Sequence, residues 1–195
     1  AMRFLEWRPS MRLLAETSGK NAMVITATAD EDAAIKDLVR SAFGHAGQKC
    51  SAASLAIVEA PLYDDARFLR RLADAVHSVR VGPATDLATM TGPLIGPPSP
   101  QLERALTQLD DGECWLVEPR RIDECTWTPG VRLGVRPGSW FHRTECFGPV
   151  LGIVRADDLD HAIEIQNGTS FGLTGGIQSL DKREVVRWLD RVEVG

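Results

Sequence analysis

Short apolar runs alternate along the chain with stretches in which apolar residues recur every three or four positions. The short runs predict strands, and the periodic stretches predict amphipathic helices. Such alternation favours an α/β layer fold with a mostly parallel sheet. The predicted strands span 21–29, 54–60, 114–119, 131–137, 148–156 and 173–179, and the predicted helices span 31–47, 64–79, 101–109, 158–167 and 181–192.

The first predicted helix has a clear start and a defined inner face. Asp30 precedes it, and an aspartate at that position can accept hydrogen bonds from the free backbone N–H groups of the first turn. Ala34, Leu38 and Ala42 recur at helical spacing. They predict the buried face of the helix, which His45 would extend.

Composition narrows the class of protein. The 195 residues are 44% hydrophobic and carry a net charge of −5, as expected for an ordinary soluble globular protein with one sizeable core. The mild acidity argues against nucleic-acid binding, and no apolar run approaches the roughly 20 residues that span a bilayer. The Pro- and Gly-rich segment 82–101 predicts an irregular surface loop.

The four cysteines include no Cys-x-x-Cys pair, and we expect them to be free thiols in a reducing cytoplasm. His142 and Cys146 are close enough in sequence to suggest zinc. A closed zinc site needs about four clustered ligands, however, and no second pair is present. No metal is therefore expected.

Cys50 lies in the segment "FGHAGQKCSAAS" (43–54), which consists mostly of small residues. A thiol must be ionised to act as a nucleophile, so a catalytic cysteine needs a positive potential, a helix N-terminus or a base nearby. A helix that begins at about Ser51 would direct free N–H groups towards the sulfur. The small residues 51–54 would leave room for a substrate. Taken alone, Cys50 fits a buried structural cysteine better than a catalytic one.

Two other segments carry candidate site residues. Glu16 precedes a Ser-Gly turn that could direct its carboxylate into a cleft, where it could act as a general base for water; the alternative is a solvated surface glutamate. In "TECFGPVLG" (144–152), the Phe-Gly-Pro turn projects Glu145 and Phe147. A carboxylate beside an aromatic ring can hold a sugar hydroxyl and pack against a planar heterocycle.

Together these segments resemble the catalytic domain of the NAD(P)-dependent aldehyde dehydrogenase superfamily from about residue 10 onward. "GQKC" (47–50) matches the family motif Gly-Gln-x-Cys, and "ECFGP" (145–149) matches Glu-x-Phe-Gly-Pro. "ETSGK" (16–20) is similar to Glu-Leu-Gly-Gly-Lys, with a serine in place of one glycine. "GPLI" (92–95) and "NGTSFGLTGGIQS" (167–179) are also similar to the family. The Glu-Thr pair and "GQKCSAAS" look like the pyrroline-5-carboxylate dehydrogenase branch.

The resemblance implies a three-layer α/β fold and a role for each candidate residue. Cys50 would attack an aldehyde, passing through a thiohemiacetal and a thioester, and Glu16 would activate the water that hydrolyses the thioester. Glu145 would bind the nicotinamide ribose, and Phe147 would pack near the ring of the cofactor, NAD or NADP. Ser51 would hydrogen-bond the substrate, which the subfamily implies is glutamate γ-semialdehyde, oxidised to glutamate.

The resemblance also implies a domain organisation. Residues 1–15 are expected to be a tag scar and the tail of a truncated preceding region, and 16–195 the catalytic domain without its cofactor domain and oligomerisation hairpin. The full-length parent would be a cytoplasmic homo-oligomer with a fused or associated proline dehydrogenase. The chain alone would bind NAD weakly and turn over little. Two alternatives remain: a non-catalytic structural module of the same family, and a relative that transfers the acyl group to coenzyme A.

Overall fold

The computed structural model describes residues 2–13 and 18–195, and six strands among them form one sheet. The strands are β1 (Asn21–Ile25), β2 (Ala53–Glu59), β3 (Cys114–Val117), β4 (Gly130–Leu133), β5 (Val150–Ala156) and β6 (Gly175–Gln178). Their order across the sheet is β3-β4-β5-β2-β1-β6. Every neighbouring pair is parallel except β3 with β4. The predicted α/β class and mostly parallel sheet are confirmed.

Helices cover both faces of the sheet and give three layers. Successive residues of β2 alternate between two cores: Leu55 and Ile57 pack on one face, and Ala56 and Val58 on the other. α2 and α4 pack on the second face, and α5 and α7 pack on the first. The helices are α1 (Met2–Trp7), α2 (Glu31–Phe43), α3 (Ala60–Tyr63), α4 (Ala66–His77), α5 (Pro100–Thr107), α6 (Trp140–Arg143), α7 (Leu159–Asn167) and α8 (Lys182–Arg191).

The predicted start and inner face of α2 are confirmed, but its predicted end is not. The Asp30 side chain accepts a hydrogen bond of 3.0 Å from the Ala33 N–H, and the three alanine and leucine positions of the predicted face are buried. His45 does not extend that face. It and Ala46 have φ angles of 54° and 55°, so the backbone turns left-handed after Gly44 and leaves the His45 side chain exposed.

The helix that would direct N–H groups towards Cys50 if it began at about Ser51 does not form. Residues 48–52 form a turn, in which the Ala52 N–H donates to the Lys49 carbonyl over 3.0 Å, and β2 begins at Ala53. Ala53 already pairs with Asn21 of β1. The residues that a helix would need are therefore paired in the sheet, and no helix N-terminus lies beside Cys50.

Residues 82–99 of the predicted loop 82–101 are irregular as predicted, although two of them are buried and α5 begins at Pro100. Thr91 donates from its hydroxyl to the Phe43 carbonyl over 2.6 Å, which ties the loop to the end of α2. Leu94 packs in the core, and its N–H donates to the Cys125 carbonyl over 2.8 Å. None of the described helices is both long and apolar enough to cross a membrane.

Candidate active site

Three sequence motifs end where three neighbouring strands begin. Lys20 immediately precedes β1, the turn after Cys50 leads into β2, and Pro149 immediately precedes β5. Because β5, β2 and β1 are adjacent and parallel, their amino ends lie at one edge of the sheet. The fold therefore brings together segments that are far apart in the sequence.

Direct contacts join the motifs at this edge. The Gly19 N–H donates to Oε1 of Glu145 over 2.8 Å, which links the segment before β1 to the segment before β5. Cys50 is an exposed residue and lines a small cleft with Glu145 and Phe147. This Cys50 cleft is completed by Gly19, Asn21, Gly47, Lys49, Ala52, Ala53, Ser54, Cys146, Gly148 and Val150.

Glycines allow the loops to approach so closely. Gly47 has a φ of +67°, and a Cβ on it would lie 2.2 Å from the Gly148 carbonyl oxygen. A Cβ on Gly148 would lie 2.3 Å from Cδ1 of Leu102, and one on Gly19 would lie 2.9 Å from the Cys50 carbonyl oxygen. The glycine in each motif is thus a packing requirement of the Cys50 cleft.

Gln48 ties the thiol loop to two neighbouring loops. Its Nε2 donates to the Phe147 carbonyl over 3.3 Å, and its Oε1 accepts from the Ile95 N–H over 2.9 Å. Phe147 itself has a φ of 55°. The "GPLI" loop, the thiol loop and the Phe147 turn are therefore held together by one side chain.

The predicted site residues fall into three groups. Cys50, Glu145 and Phe147 lie together in the Cys50 cleft. Ser51 is exposed and lines a neighbouring cleft on the α2 side instead. Glu16 lies outside the described residues, so its juxtaposition with Cys50 stays a prediction.

Asn21 and Lys20 are site residues that the sequence motifs do not single out as functional. Asn21 opens β1 and is buried, although asparagine is depleted in strands. That mismatch between residue type and position is the signal that could have identified it. For Lys20 the sequence carries no comparable signal, because nothing in the motif indicates that the side chain is buried.

The buried amine of Lys20 lies near Glu145 and Cys146, which line the Cys50 cleft. The Lys20 side chain has its Nζ 3.8 Å from the centroid of the Phe141 ring, and this atom has no hydrogen-bond partner among the described residues. The pKa of Lys20 is lowered from 10.5 to about 8, chiefly by burial and also by nearby Arg132, while Cys146 and Glu145 oppose the change. Burial also raises the pKa of the Cys146 thiol. Cys146 is therefore a poor nucleophile.

Replacing Lys20 with methionine should stabilise the fold at neutral pH by about 3 kcal/mol, since the buried charge is removed and the side-chain volume is kept. The native chain should gain stability as the pH rises from about 8 to 10.5, because the unfolded chain binds more protons in that window. Urea unfolding at a series of pH values measures both effects. Lys36→Met on exposed α2 surface is the control; the same pH dependence in Lys20→Met and the native chain would contradict the assignment.

The other residue considered for zinc, His142, is engaged by backbone groups. Its Nδ1 accepts from the Gly138 N–H over 3.1 Å, and its Nε2 lies 2.9 Å from the Ile165 carbonyl oxygen. Within residues 2–13 and 18–195, no three histidine, cysteine or carboxylate side chains come together as a metal site.

Comparison with known proteins gives a consistent result. The family model described as "Aldehyde dehydrogenase family" matches residues 7–195. The chain is 33% identical over 187 residues to a 1-pyrroline-5-carboxylate dehydrogenase of Geobacillus sp. (strain WCH70), covering 94% of this chain and 36% of the relative. The chain thus spans about a third of the length of the curated relatives it matches.

Two solved structures are similar over nearly the whole chain. Proline utilization A from Corynebacterium freiburgense superposes with a TM-score of 0.92 at 54% identity, covering 99% of this chain and 20% of that one. A 1-pyrroline-5-carboxylate dehydrogenase from Thermus with bound NAD gives a TM-score of 0.82 at 32% identity, covering 92% of this chain and 35% of that one.

Proposed function

Because the chain belongs to the aldehyde dehydrogenase family, we propose that it provides the catalytic thiol for NAD(P)-dependent oxidation of glutamate γ-semialdehyde to glutamate. The observation that carries the proposal is that Cys50, an exposed residue, lines one cleft with Glu145 and Phe147. The substrate is inferred from similarity to proteins named 1-pyrroline-5-carboxylate dehydrogenase.

Cys50 would act as the nucleophile. Its thiolate forms a carbon–sulfur bond with the aldehyde carbon, and the carbonyl π electrons move to the oxygen. The developing oxyanion needs a hydrogen-bond donor. The backbone N–H of Cys50 donates to no acceptor among the described residues, so it is available for this role. Glu16 is proposed as the base that activates water for hydrolysis of the acyl-enzyme.

Glu145 and Phe147 fit a nicotinamide dinucleotide. Glu145 is half-buried, with Oε1 held by the Gly19 N–H, so its carboxylate is fixed at the cleft where a ribose hydroxyl could donate to it. The Phe147 residue is 39% exposed, which leaves its ring accessible to a planar heterocycle. When bound, the cofactor supplies the hydride acceptor. The NAD in the Thermus relative supports NAD over NADP.

The wider assembly is proposed from the relatives. The chain spans 20% and 19% of two proline utilization A chains, which supports a fused proline dehydrogenase in the full-length protein. A homo-oligomer in the cytoplasm and a catalytic domain over 16–195 belong to the same proposal. Ser51 would reach the substrate only if it contributes from the neighbouring cleft.

Site-resolved alkylation of the chain tests the proposal. Cys50 should react with iodoacetamide at least about tenfold faster than Cys114, because catalytic thiols ionise more readily than ordinary ones. Cys114 is the matched comparison, since it is also exposed but lies on edge strand β3 away from the cleft. Glutamate γ-semialdehyde should slow the alkylation of Cys50 but not that of Cys114. Cys50→Ala should remove the fast phase of alkylation.

Equal alkylation rates at Cys50 and Cys114 would mean that exposure alone governs the reactivity of Cys50. That result would overturn the catalytic role and favour the non-catalytic module. A fast Cys50 with no protection by the semialdehyde would preserve the nucleophile and overturn the proposed substrate.

A further inference from the structure

We propose that Asn21 is a positioning residue for Cys50, which fixes the turn that carries the thiol. The inference rests on the proposed role of Cys50. The Asn21 side chain donates from Nδ2 to the Cys50 carbonyl over 2.7 Å and to the Ala52 carbonyl over 3.0 Å. One amide group thus holds the backbone on both sides of Ser51.

A backbone hydrogen bond and a glycine complete the arrangement around Asn21. The Ala52 N–H closes the turn on the Lys49 carbonyl over 3.0 Å. Gly19 lies against the same feature, because a Cβ on it would be 2.9 Å from the Cys50 carbonyl oxygen and 3.0 Å from Oδ1 of Asn21. A glycine is therefore needed to admit the Asn21 amide beneath the turn, and the donor arrangement depends on both residues.

The placement of Asn21 carries a stability cost. Asn21 is only 4% exposed, and its Oδ1 has no hydrogen-bond partner among the described residues. A buried acceptor without a partner destabilises the fold, because it gives up its hydrogen bonds to water and gains none in return. Asparagine is also a poor strand former, and β1 begins at this position. The two Nδ2 hydrogen bonds to the thiol turn offset this cost.

Those hydrogen bonds bear on the chemistry of the sulfur. A backbone carbonyl carries partial negative charge on its oxygen, and such charge close to a thiol disfavours the thiolate. Asn21 directs the Cys50 and Ala52 carbonyls towards β1 and neutralises part of their charge. Fixing the Cys50 carbonyl also fixes the rotation about the Cα–C bond of Cys50, and so the orientation of its side chain and N–H within the cleft.

The test compares Asn21→Ala and Asn21→Leu with the native chain. Both variants lack the donor; alanine cannot clash with its surroundings, and leucine keeps most of the volume. In each, the pH profile of Cys50 alkylation should shift upward by about one unit, with a rate about tenfold lower at neutral pH. A purely structural role would lower the free energy of unfolding without moving this pH profile.

Asn167→Ala is the matched control. Asn167 likewise bridges backbone groups, donating to the Arg191 carbonyl over 2.9 Å and accepting from the Glu193 N–H over 3.0 Å, but it lies far from the cleft in sequence and at the end of α7. Its replacement should leave the Cys50 profile unchanged. If Cys50 is fast in the native chain and its profile is the same in both Asn21 variants, the positioning role is overturned while the proposed function stands. If native Cys50 reacts no faster than Cys114, both fail.

Discussion

Replacing Arg132 with leucine should lower the free energy of unfolding by about 3–5 kcal/mol, because it leaves a buried carboxylate without its counter-charge. Arg132 forms an ion pair with Glu113, and each side chain is only 1% exposed. Nη1 of Arg132 also donates to the Ala105 carbonyl over 2.7 Å and to the Gln108 carbonyl over 2.6 Å. The substitution therefore strands one charge and two backbone acceptors.

Two aromatic rings flank Arg132, and neither can replace it as the partner of Glu113. Its guanidinium carbon lies 4.7 Å from the centroid of the Phe141 ring and 5.4 Å from that of Trp115. Such rings stabilise a cation but cannot satisfy a carboxylate. Water would have to enter, or the Glu113 carboxyl would have to take up a proton, and both are costly in a packed core.

Urea denaturation of three variants separates pairing from packing. Arg132→Leu combined with Glu113→Leu should recover much of the loss, because no unpaired charge remains. Arg155→Leu is the control, since Arg155 pairs with Asp64 and Asp157 on the surface, and the loss of stability should be much smaller than for Arg132→Leu. Equal losses of unfolding free energy for Arg132→Leu and Arg155→Leu would show that the buried ion pair stabilises the fold no more than the surface pair does.

The strand segments of this fold could be read from the sequence, but their order in the sheet could not. The runs at 54–60 and 148–156 become β2 and β5, since a strand covered on both faces is apolar along its length. That β5 lies between β4 and β2 depends on how the intervening segments cross and pack. α6 and α3 escaped prediction because four residues are too few to show a helical period.

The candidate site divides in the same way. Motif wording identifies Cys50, Glu145 and Phe147, and the structure places them in one cleft. The motifs cannot indicate that Ser51 lies in the neighbouring cleft, because its position depends on the turn adopted before β2. Nor can they indicate that Arg132 and Glu113, 19 positions apart, are buried together, since burial of a charge is decided by packing from several elements.

Gly47→Ala should cost about 3–5 kcal/mol of folding free energy, because it adds a backbone strain to a direct clash. With a φ of +67°, Gly47 adopts a conformation that L-residues rarely take. The added Cβ would lie 2.2 Å from the Gly148 carbonyl oxygen and 3.0 Å from that of Ala42. Both neighbours are backbone atoms, so no side-chain rotation can relieve the contact.

The clash should also lower the reactivity of Cys50, because the Gly47–Gly148 contact sets the distance between the thiol loop and the Phe147 turn. Cys50 in Gly47→Ala should lose its fast alkylation even below the denaturant concentration that unfolds the chain. Gly44→Ala, only three positions earlier, is the control: Gly44 has a φ of −57°, and a Cβ there meets nothing within 4 Å. If both substitutions have equally small effects on unfolding and on Cys50, close packing of the two loops does not determine the geometry of the cleft. If Gly47→Ala alone loses much of its stability and the fast alkylation of Cys50, the glycine at position 47 is required for the geometry of the Cys50 cleft.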